Sequence, residues 1–146
     1  MAGIRTRARG QALQMLYALD VSGGAEPDRN EPTPTQATTR ESFDIGVEAE
    51  GNSFAEGIVN NAREHQGEID EELQSASKNW RLERMSTVDR NILRLATAEL
   101  MYDPSVPTKV VINEAIELAK RFGTTESPAF VNGILDRVAA KVREQE

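Results

Sequence analysis

Apolar side chains recur at three- and four-residue intervals through most of this chain, a period that only helices with one buried face can satisfy. Residues 108–122 put Val111, Ile112, Ala115, Ile116, Leu118 and Ala119 on one side, with Glu117 and Arg121 paired at i,i+4 on the other. Gly123 suits a left-handed C-terminal cap, and Ser127-Pro128 reads as N-cap and N1 proline before the stripe Val131, Ile134, Leu135, Val138, Val142. Upstream, Ser86 and Asp89 have capping-box spacing ahead of Val88, Ile92, Leu95, Ala96 and Leu100, and Asp103-Pro104 and Val106-Pro107 end that helix. Three earlier segments follow the same period. Residues 4–19 carry Ile4, Ala8, Ala12, Met15, Leu16 and Leu19, and residues 53–65 carry Phe54, Ile58, Val59 and Ala62. Residues 68–80 open on acids and present Ile69, Leu73, Ala76 and Trp80 to the core. No segment shows strand alternation between hairpin turns, and no repeat is visible. The expected fold is an all-α bundle.

Residues 22–50 break the pattern. Ser22–Arg40 holds paired glycines, three prolines and no large apolar side chain, so burial cannot offset its ordering entropy. The stretch reads as an acidic, flexible insertion in a single domain spanning 1–146, with Phe43, Ile45 and Val47 the only hints of local order. A chain of 146 residues can bury a core without covalent staples. It has no cysteine, which excludes disulfides, thiol nucleophiles and thiolate metal sites and suits a reducing compartment. Its one histidine, His65, stands among polar neighbours and reads as surface. No apolar run approaches a membrane span and no secretory signal is present, so a cytoplasmic location is expected.

The net charge of −7 conceals an uneven distribution: +3 over residues 1–19, −10 over 20–79, and zero over 80–146. Overall acidity disfavours non-specific nucleic-acid binding, while Arg5, Arg7 and Arg9 concentrate positive charge where it opposes a helix dipole and favours an anion. Two aromatics lie off their apolar stripes. Tyr17 falls roughly opposite the stripe of its helix at ~100° per residue, and Phe130 lines up with Arg137 and Lys141. Rings beside guanidinium groups suit single-stranded RNA, whose bases stack while cations hold phosphates; covering a neighbouring helix is the alternative role. Glu99 lies inside an apolar stripe and needs a buried partner, an arginine or a helix N-terminus. There is no phosphate loop, calcium loop, metalloprotease pair or nucleophile elbow, so an enzyme is not expected.

Several blocks resemble the NusB family of transcription antitermination factors. They are R-T-R-A-R-G-Q-A-L-Q-M-L-Y at 5–17, N-W-R-L-E-R-M-S-T-V-D-R-N-I-L-R-L at 79–95 and E-L at 99–100. V-P-T-K-V-V-I-N-E-A-I-E-L-A-K-R-F-G at 106–123 and S-P-A-F-V-N-G-I-L-D at 127–136 complete the set. The resemblance implies about six to seven helices in two small sub-bundles. It also implies a factor that pairs with the ribosomal protein NusE, binds boxA leader RNA, and joins other Nus factors on RNA polymerase to suppress termination in ribosomal RNA operons. No cofactor or metal is implied. By position, Arg5, Arg7 and Arg9 would hold phosphates, and Gln14 and Tyr17 would offer hydrogen bonding and stacking. Phe122 and Phe130 bracket the last interhelical turn, Glu126 is an acid near the RNA, and Asp89 would meet the ribosomal protein. Thr6 stands inside the arginine run, and Asp89 is one methylene shorter than the glutamate common in relatives. Rival assemblies are the RNA-recruiting module of a ribosomal RNA methyltransferase, for which the chain has no cofactor region, a homodimer that buries the RNA face, and an interaction protein without RNA.

Overall fold

The computed structural model describes residues 3–22 and 49–143. Its organising element is the helix that follows Ser86. The Ser86 hydroxyl accepts the Asp89 N–H at 3.1 Å, so the helix starts at Thr87, and it ends at Tyr102 before Asp103-Pro104. Ile92, Leu93, Leu95, Ala96 and Leu100 are all buried, because neighbours cover this helix on several sides. The helices are α1 (Ile4–Ser22), α2 (Ala49–Glu64), α3 (Gln66–Ala76), α4 (Thr87–Tyr102), α5 (Thr108–Phe122) and α6 (Ser127–Val142), with a 3-10 turn at Leu82–Arg84. Helix α4 touches each of the other five, α1 packs on α2, α5 and α6 form a hairpin, and α3 lies against α6. Among the described residues there is no strand, and no helix is long and apolar enough to cross a membrane.

Two ionic clamps fix α1 on α4. Arg9 meets Glu99 near one end; near the other, Asp20 accepts from Arg90 Nε at 2.8 Å, Asn91 Nδ2 at 2.8 Å and Arg94 Nη1 at 3.1 Å. The pairing 9 with 99 and 20 with 90–94 makes the helices antiparallel. Arg94 also forks onto Asp70 at 2.8 and 2.9 Å, which adds α3. Burial alone would raise the Asp20 carboxyl; hydrogen bonds from Arg90 and Asn91, with the charges of Arg90 and Arg94, outweigh it and hold Asp20 below 3.8.

Several sequence expectations shift. Helix α1 runs three residues past 19, and its buried face includes Arg9 and Leu13, which centre it about 60° from the expected stripe on the helical wheel. Leu19, expected in the core, is 40% exposed, and Tyr17, expected opposite the core, sits on its flank and is half-buried. Helix α3 stops at Ala76, where Ser77 returns its N–H and hydroxyl to the Leu73 carbonyl at 2.9 and 2.7 Å. Trp80 therefore lies beyond the helix and is 58% exposed instead of entering the core. Helix α2 begins at Ala49 and α1 ends at Ser22, so the insertion loses its edges to helix; the reading of 23–48 as flexible, with Phe43, Ile45 and Val47, lies outside the described residues.

Gly123 is not left-handed: its φ of −95° and ψ of −164° are extended backbone. Its requirement is space, since a Cβ there would lie 2.4 Å from Ser127 Oγ and 2.9 Å from the Ala119 carbonyl. Ser127 is the first residue of α6 and not its N-cap, and its buried hydroxyl accepts the Thr124 N–H at 2.9 Å. His65 is half-buried, stacked on Tyr102 with centroids 4.0 Å apart, instead of standing free on the surface. The Tyr102 hydroxyl donates to Glu68, which pushes it up to about 12.

Gly123→Ala is expected to cost about 1–3 kcal/mol, whereas Gly57→Ala, in open space within α2, gains roughly 0.5–1 kcal/mol; urea denaturation midpoints test both. Asp20→Asn tests the second clamp through pH. A carboxyl held low in the folded state stabilises above its unfolded value and loses that contribution as pH falls. The stability gap between wild type and variant should be full near neutrality and close as pH drops below 3.8.

Candidate nucleic-acid interface

Helical geometry divides the arginine run. Residues two apart on an α-helix are separated by about 200°, so Arg5 and Arg9 share one side of α1 and Arg7 lies across from them. Both Arg5 and Arg9 carry their guanidinium carbons over the Phe54 ring of α2, at 4.9 and 5.1 Å. Arg9 is only 2% exposed. Its Nε donates to both Glu99 carboxylate oxygens at 3.0 Å, and Nη2 lies 2.9 Å from Oε1. Arg9 is therefore not placed to hold a phosphate; it is the buried partner that Glu99 requires. Burial pushes the Glu99 carboxyl above its ordinary 4.5, and the hydrogen bond and charge of Arg9 counter this in part.

Arg7 opens a second face. Gln11, Gln14 and Tyr17 follow it at four, seven and ten residues, within one arc away from the α4 contact, and all four are half-buried. Arg7 Nε and Gln11 Oε1 are shielded yet make no hydrogen bond among the described residues. A shielded donor or acceptor without a partner is costly, and both are atoms that an RNA strand can satisfy. Thr6, the interruption in the run, donates to Glu114 Oε1 at 2.8 Å and so fastens the first turn of α1 to α5.

At the far end of α1, the Asp20–Arg90 contact brings the turn bearing Tyr17 to the start of α4, where Asp89 sits. Asp89 is half-buried, and its Oδ1 has no hydrogen-bond partner among the described residues. The remaining aromatics surround the α5–α6 turn. Phe122, half-buried at the end of α5, lies under the Arg121 guanidinium at 5.0 Å; Glu126 is exposed at the head of α6. Phe130 is half-buried and meets Trp80 edge to face, centroids 5.8 Å apart. Trp80 is thus an interface candidate that the helical reading assigned to the core. Its setting between Lys78-Asn79 and Arg81 was the available signal, since those neighbours are poor core company. Among the described residues, no cluster of acids or histidine is arranged to hold a metal.

Fold and face together define a small helical module that displays arginine, amide and aromatic groups from α1 and from the α5–α6 turn. Residues 6–140 match the profile of the NusB family, and the chain belongs to that family. It is 47% identical to the transcription antitermination protein NusB of Trichlorobacter lovleyi, over 99% of this chain and 96% of that protein. The fold is similar to T. maritima NusB, with TM-score 0.76 and 35% identity over 97% of this chain and 94% of the other. It is also similar to a chain in a crystal structure of antitermination factors NusB and NusE in complex with dsRNA, with TM-score 0.74 and 27% identity over 95% and 98% of the two chains.

Arg9→Gln is expected to destabilise the protein by about 3–5 kcal/mol because it strands Glu99. Arg7→Ala, with no buried counter-charge to strand, should stay within about 1 kcal/mol. Thermal melts followed by circular dichroism separate the two arginines.

Proposed function

We propose that this chain is a transcription antitermination factor that binds boxA leader RNA together with the ribosomal protein NusE, and that it acts by assembly and not by catalysis. The observation that carries the RNA reading is the α1 face, where Arg7 Nε and Gln11 Oε1 have no hydrogen-bond partner among the described residues and lie in line with Gln14 and Tyr17. The related complex of NusB, NusE and dsRNA supports the pairing of partners. Arg5 and Arg7 hold phosphates, Gln14 offers hydrogen bonds, and Tyr17, Phe122 and Phe130 offer ring faces, with Glu126 beside them at the α5–α6 turn. Arg9 positions α1 and holds no phosphate itself. Asp89 contacts the ribosomal protein at the start of α4, the end to which the Asp20–Arg90 contact fastens α1, so that RNA and protein meet there. The chain works as a single domain, in the cytoplasm, and RNA polymerase enters through the other Nus factors.

Two phosphate contacts give a single-strand salt slope near −1.4 (twice ~0.7), shallower than three arginines would give. One stacked ring adds ~1–3 kcal/mol. Such a patch is modest alone, and linked binding makes each partner strengthen the other.

The test is a boxA RNA titration with and without the ribosomal protein. Tyr17→Ala should lose ~1–3 kcal/mol of RNA affinity, and Arg7→Ala should weaken binding and lower the salt slope by ~0.7, both with helical signal unchanged. Unaltered affinity in both variants would sink this face.

A further inference from the structure

Beyond Phe130 the surface continues as a groove between α3 and α6. Two hollows meet there and share Asn79 and Arg137 in their walls. The smaller, ≈210 Å³, is lined by Trp80, Phe130 and Gly133. The larger, ≈540 Å³, is lined by Lys78, Arg137 and Lys141 against a single acid, Glu72. Neither hollow contains a residue of the α1 face.

The local chemistry is distinctive. Trp80 and Phe130 stand at 84° to one another and form a corner, and Trp80 is 58% exposed. A Cβ on Gly133 would meet nothing within 4 Å, so the hollow is open at that point of its wall. Two of the three cations are held in place on this surface. Arg137 Nη1 donates to the Ala76 carbonyl at 3.0 Å, and Lys141 Nζ lies 3.0 Å from Glu72, both spanning from α6 to α3. Lys78 is exposed beside them. A large ring left open to water next to three cations matches the requirements of a single-stranded nucleotide: a flat face for the base and positive charge for the phosphates around it. A protein helix would need a continuous apolar row, and the groove offers small residues instead.

We infer that the RNA track does not end at Phe130 but turns into this groove, with one base seated in the Trp80–Phe130 corner and the adjoining phosphates held by Lys78, Arg137 and Lys141. The inference rests on the RNA reading above and adds a second stretch of track that the α1 face does not reach.

Trp80 is the sole tryptophan, so its emission reports the corner directly. The full-length chain is titrated with a boxA single-stranded RNA oligonucleotide while that emission is followed. Saturable quenching is expected. Lys78→Gln with Lys141→Gln should lower the salt slope by ~1.4 (twice ~0.7). Gly133→Leu, which fills the seat, should abolish the quench and weaken binding about tenfold, within the range of one lost stack. Arg63→Gln with Lys109→Gln makes the same charge change outside the groove and should leave affinity as in wild type. If Gly133→Leu fails to fold by circular dichroism, the quench and the lysine pair decide the matter. RNA binding with unchanged emission and an unchanged slope in the lysine variant overturns the groove and leaves the α1 face standing. If that variant keeps its RNA but loses the ribosomal protein, the groove is a protein site and the inference is wrong. No RNA binding by wild type, with the ribosomal protein present or absent, removes both readings.

Discussion

The buried pair of Arg9 and Glu99 is the constraint on which the rest of the structure depends. Both side chains are almost fully enclosed, and each is tolerable only because the other is there. Removing two charges from water costs several kcal/mol per ion, repaid when fork geometry satisfies both oxygens. Apolar residues of similar size would fill the same space with less at risk. What the ion pair adds is registry: an arginine has one place along α4 where a carboxylate awaits it, whereas a leucine would pack at several heights. Register between α1 and α4 is therefore specified chemically as well as sterically.

Register matters because the proposed face is a property of α1's rotation. With Arg9 turned inward, the helix period sends Arg7, Gln11 and Gln14 away from α4 and leaves Tyr17 on the flank. Asp20 holds the other end through Arg90, Asn91 and Arg94, so α1 is pinned at two points eleven residues apart. A helix secured at both ends cannot roll, so Arg5 and Arg7 stay on opposite sides of α1 and would meet different phosphates. The central helix is closed off by a third ionic device, Arg143, whose guanidinium donates to the carbonyls of Leu100, Val106 and Asp103 at 3.0, 2.6 and 3.0 Å. A cation at the negative end of α4 both satisfies its last carbonyls and opposes the helix dipole.

Much of this was legible in the amino-acid order. Helices α4, α5 and α6 follow from strong apolar periods with a serine cap, prolines and a glycine at their boundaries, and Glu99's need for a buried partner follows from its place in a stripe. Where the reading departed from the structure, the cause was tertiary. Leu19 leaves the core and Leu13 enters it because a charged residue, Arg9, belongs to the buried face, which an apolar period alone does not reveal. A four-residue extension of α3 would keep the period and carry Trp80 into the core, but Ser77 ends that helix first. Gly123 was recognised as necessary for the wrong reason: close approach to Ser127 demands it, not a left-handed backbone. The Arg143 clamp has no local signature, since its acceptors lie 35 to 44 residues away.

The divided arginine run bears most directly on how such a protein would act. Three arginines in five residues look like one cationic patch when written in a line, yet on a helix they serve two ends. One neutralises an internal acid, one lies over Phe54, and one keeps a shielded Nε with no hydrogen-bond partner among the described residues. A chain that spends its densest basic segment largely on its own architecture, and carries a net charge of −7, has little long-range attraction for a polyanion. Its selectivity for RNA must then come from short-range chemistry, ring faces and fixed donors, and from a second protein that supplies what this one lacks. An acidic scaffold with a few exposed contacts would bind poorly to arbitrary nucleic acid and firmly only where a cognate sequence and a basic partner coincide. For a factor proposed to load onto one class of transcript, weak affinity alone would be an advantage, because free binding elsewhere would titrate it away.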